Sequence, residues 1–280
     1  MDTGEPSTGR IRLDLGYDGT GFTGWARQPG LRTVQGELET ALATIFRRAG
    51  EPPRLVVAGR TDVGVHAIGQ VAHLDLTGEQ RALLRGDLAT RLNGIAGLDA
   101  DIRVFRSDPA PAGFDARFSA LWRRYEYRIA DADALHDPRR RSHTLWHPRA
   151  LDVDAMQEAA QSLLGLHDFA SFCKPREGAT TIRTLQAFTW HRDEDGVLLG
   201  RLQADAFCHS MVRALVGACV DVPGRVAELR DARERTSAFK VMPAKGLTLV
   251  EVGYPPDEEL AARAEQTRGR RSLPNADFSD

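Results

Sequence analysis

Lysine is nearly missing from this chain. Only Lys174, Lys240 and Lys245 stand among its 37 basic residues. Codon usage biased toward arginine and alanine produces that skew as readily as selection for phosphate forks does, so it is not evidence of binding. Cysteine is scarce too: Cys173, Cys208 and Cys219 are odd in number and form no C-x-x-C pair, which argues against a disulfide framework and a zinc site. Two of them sit in apolar surroundings suited to buried free thiols. Long apolar runs are also lacking. The longest, residues 214–220, falls far short of the roughly 18 residues of a membrane span. The polar opening over 1–10 does not read as a signal peptide, and a soluble cytoplasmic protein is the expectation.

Neither sign of charge dominates. With 37 basic and 39 acidic residues the net charge is −2, so the total does not announce a nucleic-acid binder. The distribution is uneven, however. Arg123, Arg124, Arg128, Arg139, Arg140, Arg141 and Arg149 crowd one stretch, among Glu126, Asp131, Asp133 and Asp137, with Trp122, Tyr125 and Trp146 interleaved. A basic strip carrying aromatics can hold a nucleic-acid backbone. A solvated charged face with its aromatics turned to the core has the same composition, and both readings stand on these residues alone.

What the chain does have is apolar material for one large core or two ordinary ones, since 42% of its 280 residues are hydrophobic. Ile11, Leu13, Leu15 and Tyr17 alternate and predict a half-buried strand over 10–17. Thr33 then caps a helix in which Val34, Leu38, Leu42, Ile45 and Phe46 recur at helical spacing until Gly50 and Pro52 stop it. A strand over 55–58, a loop over 59–69, a strand over 70–76, a helix over 79–93 and a strand over 102–105 follow. The order is β-α-β-β-α-β. The second half repeats it, with strands over 123–129, 181–191, 197–206 and 247–254, helices over 152–164 and 210–222, and an extra helix near 226–237. An α+β chain of two split β-α-β halves of ferredoxin-like type is therefore expected, rather than a doubly wound sheet in which strands and helices alternate singly. The expected divisions are a mobile N-terminus over 1–9, a first domain over 10–108, a second over 114–254 and a mobile tail over 255–280.

Gly19, Gly21 and Gly24 match G-x-G-x-x-G directly after a strand, but Pro29 and Gly30 break the segment before a helix can open there. Glu37, the candidate ribose-binding acid, falls inside the next helix rather than at a strand end. A turn sharpest at Asp18-Gly19 explains these glycines better than a dinucleotide site. The segment Gly59-Arg60-Thr61-Asp62-Val63-Gly64-Val65-His66-Ala67 is different, because it joins two apolar strands and carries an acid, a base, an imidazole and two glycines. Glycines there let the backbone turn sharply and let a ligand approach. An exposed carboxylate is ionised at neutral pH and suits nucleophilic attack or charge stabilisation better than proton donation. An aspartate closing an Asx-turn is the structural alternative.

This segment closely resembles the catalytic-aspartate motif of the TruA-type tRNA pseudouridine synthases, whose usual form has alanine where this chain has Val63. Further segments resemble the same family in the same order: Tyr17-Asp18-Gly19-Thr20 with Gly24-Trp25, Phe114-Asp115-Ala116-Arg117-Phe118 leading to Arg124-Tyr125-Glu126-Tyr127, His167-Asp168-Phe169, His209-Ser210-Met211-Val212-Arg213, and Ala244-Lys245-Gly246-Leu247. The resemblance covers roughly residues 11–254. It implies two α+β domains whose mainly antiparallel sheets join across a central catalytic cleft, the pseudouridine synthase fold. It also implies a homodimer, and isomerisation of uridines 38, 39 and 40 in the anticodon stem-loop of tRNA with neither cofactor nor metal.

By this resemblance Asp62 is the reacting carboxylate, through attack at the sugar C1′ or through a glycal, and the target base is flipped from its stack into a pocket. Tyr125 matches the residue that stacks on that base, while Tyr127 reads as core. Arg213, one turn into an apolar helix, is costly to bury unless paired, and Asp62 is its expected partner. Arg60 resembles the family arginine that fills the space left by the flipped base. His66 reads as structural. His167-Asp168 lacks a serine context, with Cys173 the sole thiol candidate for a hydrolase. The rival functions are a catalytically silent RNA-binding protein of the same fold, and a glycoside hydrolase, which needs a second acid that this loop does not supply.

Overall fold

Leu13 and Leu15 turn inward and are wholly buried, as the alternation at the start of the chain requires. The computed structural model describes residues 9–174, 178 and 180–269. In chain order it contains β1 (Gly9–Tyr17), α1 (Val34–Ile45), β2 (Val56–Val57), β3 (His66–Leu76), α2 (Gly78–Leu83), α3 (Leu88–Ala96) and β4 (Ile102–Pro109). Next come β5 (Trp122–Ala130), β6 (Leu145–Trp146), α4 (Val153–Ser162), β7 (Gly165–Asp168), β8 (Ile182–Arg192) and β9 (Leu198–Ala204). The last elements are α5 (Met211–Asp221), α6 (Val226–Ala232), β10 (Leu247–Gly253) and α7 (Leu260–Arg268). The chain forms two units, one holding the chain up to Leu121 together with Thr248–Arg268, the other holding Trp122–Leu247.

In the first unit β1 lies between β3 and β4 and is antiparallel to both, and β2 adds to β3, also antiparallel. Thr33 caps α1 through Gly36 N–H, as its sequence predicts. The helix expected over 79–93 is broken into α2 and α3. Gly86 adopts φ +76°, and Asp87 caps α3 by accepting the Thr90 N–H, so turn and cap chemistry outweigh the apolar period there. β3 starts at His66, four residues before the predicted strand. β10, expected to close the second domain, runs parallel to β3 in the first unit, with Thr248 opposite His66 and Leu249 opposite Ala67. Gly69 permits this pairing: a Cβ there would meet Val250 O at 2.1 Å.

The mobile tail expected over 255–280 is corrected in its first part, because residues 257–268 form a 3-10 turn followed by α7. Leu260 and Ala264 are buried, and the Ser119 hydroxyl donates to Leu260 O at 3.0 Å. Two apolar residues one turn apart are enough to seat a short helix on an existing core. The remainder of that expectation, and all but Gly9 of the mobile N-terminus, lie outside the described residues.

In the second unit β9 lies between β5 and β8, antiparallel to both, and β7 adds to β8. The short strand β6 pairs parallel to β5 and was not expected from sequence, nor was β7. Tyr127, Phe169, Phe188, Leu202 and Leu215 form its wholly buried interior. Both units are thus α+β with mainly antiparallel strands. Among the described residues no helix is long and apolar enough to cross a membrane.

Candidate active site

The segment that carries Asp62 leaves β2 and turns into β3, and its backbone is held from several sides. The Val65 N–H donates to Asp62 O at 3.2 Å, closing a turn in which Gly64 takes φ +76°. The Gly64 N–H donates to Phe22 O at 3.3 Å, and the Trp25 N–H donates to Thr61 O at 3.1 Å. Two glycines dismissed as turn punctuation pack directly on this segment. A Cβ on Gly19 would stand 2.1 Å from Val65 O, and one on Gly24, itself at φ +83°, would stand 3.0 Å from Thr61 O. Only their order after a strand was legible in sequence; that they make room for the loop was not.

Arg60 is exposed and Asp62 half-buried, both on this loop of the first unit. Tyr125 and Arg213 belong to the second unit. Tyr125 is buried on β5 and meets Phe207 edge to face, with ring centroids 5.2 Å apart. Arg124, Glu126 and Arg128 occupy the alternate positions, whereas Arg123 shares the buried parity and donates to Asp205 O at 2.9 Å. Tyr127 is core: its hydroxyl donates to Pro243 O at 2.7 Å, and burial raises it, with the Arg213 charge pulling the other way. Arg213 rises from α5 and donates to Ser210 Oγ at 3.1 Å and Met242 O at 3.4 Å. Ser210, just before that helix, holds φ +62°, a left-handed backbone unusual for serine.

The remaining candidates have structural partners. His66 is buried, its Nδ1 accepting the Gly19 N–H at 3.1 Å. His167 and Asp168 do not form a dyad: the ring Nε2 contacts Leu164 O at 2.8 Å, while the carboxylate accepts the Ala170 N–H at 3.1 Å. Cys173 is buried, and a hydrogen bond with Cys208 together with burial pushes its thiol far up, which removes the hydrolase nucleophile. In the basic strip, acids face many of the arginines. Arg128 lies 3.2 Å from Asp193, Arg139 lies 2.8 Å from Asp137, and Arg140 lies 2.9 Å from Asp195. Arg139 holds the Asp137 carboxyl down at about 2. Arg124 instead stacks on Trp122, 4.6 Å from the ring centroid.

A family model described as tRNA pseudouridine synthase matches residues 159–255. The tRNA pseudouridine synthase A of Leifsonia xyli subsp. xyli is 66% identical over 94% of this chain and 98% of its own length. The protein of the same name from Streptomyces avermitilis is 54% identical over 98% of each chain. That from Mycobacterium leprae is 48% identical over 94% of this chain and 96% of its own.

Proposed function

The chain belongs to the tRNA pseudouridine synthase A family, and from that premise we propose that it isomerises uridines 38, 39 and 40 of the tRNA anticodon stem-loop, with Asp62 as the reacting group. In this reaction the N1–C1′ glycosidic bond breaks, the uracil turns, and a C5–C1′ bond forms. The proton on C5 leaves and N1 gains one, so nothing is added or lost overall. Asp62 meets the electron demand at C1′, either by bonding to that carbon or by taking a sugar proton on the way to a glycal. Its place on a loop held from both flanks is the single observation that carries the reading, since a reacting carboxylate must not wander.

Tyr125 stacks on the flipped uracil with its ring face, Arg60 occupies the gap left in the RNA stack, and Arg213, at its motif position, is the third residue assigned to the chemistry. The motif positions of these residues support the roles, as does the anchoring of Arg213 by Ser210 and Met242. The enzyme acts in the cytoplasm on tRNA as a homodimer, in which one subunit supports the tRNA body while the other receives the base. Asp62→Asn keeps the size and loses the charge. It is expected to abolish pseudouridine formation in a tRNA transcript while tRNA binding persists; turnover by this variant would overturn the assignment, and a wild-type protein that binds tRNA without forming pseudouridine would favour a silent RNA-binding role. Mapping modified positions in tRNA from cells lacking the protein checks the three targets.

A further inference from the structure

Gln70 has no role in the chemistry described above, yet it is wholly buried in β3 among Val71, Ala72 and Leu74, where an apolar side chain would be the ordinary choice. Its amide begins a chain of hydrogen bonds that ends beside Asp62. Nε2 donates to Gly59 O at 2.9 Å and to the Tyr17 hydroxyl at 3.2 Å, which uses both amide protons. Oε1 accepts the Val71 N–H at 3.2 Å, so a flipped amide would lose that bond and set one carbonyl oxygen against another. The Tyr17 hydroxyl in turn lies 2.8 Å from Thr61 Oγ1, within the buried interior.

Thr61 directly precedes Asp62, and its carbonyl is already engaged by Trp25. Gly59 begins the same loop. The buried network therefore grips the Asp62 segment by a carbonyl at its start and by a side chain next to the reacting residue. We propose that Gln70 and Tyr17 are positioning residues for Asp62, fixing through Gly59 and Thr61 the direction in which its carboxylate points. This rests on the reading of Asp62 as the reacting group. Burial pushes the Tyr17 hydroxyl up to about 12, so it stays neutral across the working range and the network itself does not titrate. Its side chains are buried, so its effect on the reaction is angular. A displacement of about 1 Å at a reacting group can cost about a hundredfold in rate.

Four variants test it. Tyr17→Phe keeps a ring packed 6.0 Å from Trp25 and deletes the middle of the chain of bonds. Thr61→Val deletes its end with a side chain of the same shape, and Thr61→Ser restores the hydroxyl. Gln70→Met removes both donors at similar volume, and the other three keep the question answerable if it does not fold. Each is assayed for single-turnover pseudouridine formation with enzyme in excess, for tRNA Kd by filter binding, and for melting temperature. Tyr17→Phe and Thr61→Val are each expected to slow the chemical step about ten- to a hundredfold. Kd should stay within about twofold, Thr61→Ser should keep nearly the wild-type rate, and the double variant should be no slower than the slower single, because both remove the same Tyr17–Thr61 bond. Wild-type rates in Tyr17→Phe, Thr61→Val or folded Gln70→Met would overturn the proposal. So would losses that multiply in the double variant and track Kd or melting temperature. Asp62→Asn, run alongside, separates the two readings: if it is inactive while Tyr17→Phe is fully active, only the positioning role fails, and if it is active the assignment of Asp62 fails first.

Discussion

Gly24, at φ +83°, lies against the peptide that joins Asp62 to Val63, so that a Cβ there would stand 3.3 Å from both the Asp62 carbonyl carbon and the Val63 nitrogen. A backbone in the left-handed region and a neighbouring peptide at close range both call for glycine. The contact ties two segments that the resemblance presents as separate motifs into one local structure.

Gly24→Ala is therefore expected to cost about 1–2 kcal/mol of stability through its positive φ alone. Its larger effect should fall on the Asp62 loop, which must shift to admit the methyl group. Pseudouridine formation should drop more than tRNA affinity does, as read by single-turnover assays beside binding. Equal losses in both would show that the loop tolerates the shift.

Acid should loosen the first unit through His73. This buried histidine accepts the Ala116 N–H on Nδ1 at 3.0 Å, and its pKa is lowered to about 4 by burial first and by the Arg10 charge second, against Asp115 and Asp75. The unfolded chain, with an ordinary histidine, takes up the proton first as pH falls. Stability from this residue is thus fully present above about pH 6.5 and is lost as pH falls toward about 4. His73→Asn, which keeps an acceptor at the δ position and does not titrate, should flatten that part of a stability-versus-pH curve measured by urea unfolding. An unchanged slope would contradict the assignment.

Arg192 grips Asp131 in the second unit with two hydrogen bonds, 2.9 and 2.8 Å long, and the Leu151 N–H adds a third at 2.8 Å. Burial raises the Asp131 carboxyl, but the Arg192 bonds and the Leu151 N–H prevail and hold it below its ordinary value. Removing the acid leaves a half-buried guanidinium without its partner, so Asp131→Ala should cost about 3 kcal/mol in denaturant unfolding. A loss within about 0.5 kcal/mol would mean that solvent replaces the carboxylate, as it does at surface sites.

The Arg139-Arg140-Arg141 segment tests how tRNA is held. Arg139 and Arg140 face Asp137 and Asp195, so this surface is less positive than its sequence suggests. Replacing all three arginines by glutamate is expected to weaken whole tRNA about tenfold or more and to reduce the salt dependence of binding. Short stem-loops should be less affected, and the sedimentation behaviour of the protein unchanged. Equal losses on both substrates would place this segment near the target base instead of under the tRNA body.

Alternation and helical spacing were enough to place β1, α1, β5, α4, β8, β9 and α5, because each element buries one face and local sequence records which. The Asp62 loop was legible for a related reason: Arg60 and Asp62, a base and an acid set between Gly59 and Gly64, do not belong in a packed strand end. What lay hidden were pairings over long separations. Tyr17 and Thr61 are 44 residues apart, Gln70 and Tyr17 are 53 apart, and β10 reaches back to β3 across the whole second unit. No local period encodes such a partner. Gln70 read only as the first residue of a strand, Gly24 as part of a turn, and residues 257–268 as part of a mobile tail. Sequence by itself determined most of the elements and singled out the Asp62 loop, because propensity and burial act within a few residues. Only the tertiary structure decided what holds that loop, because a buried hydrogen bond or a bare glycine gains its meaning from the group brought against it.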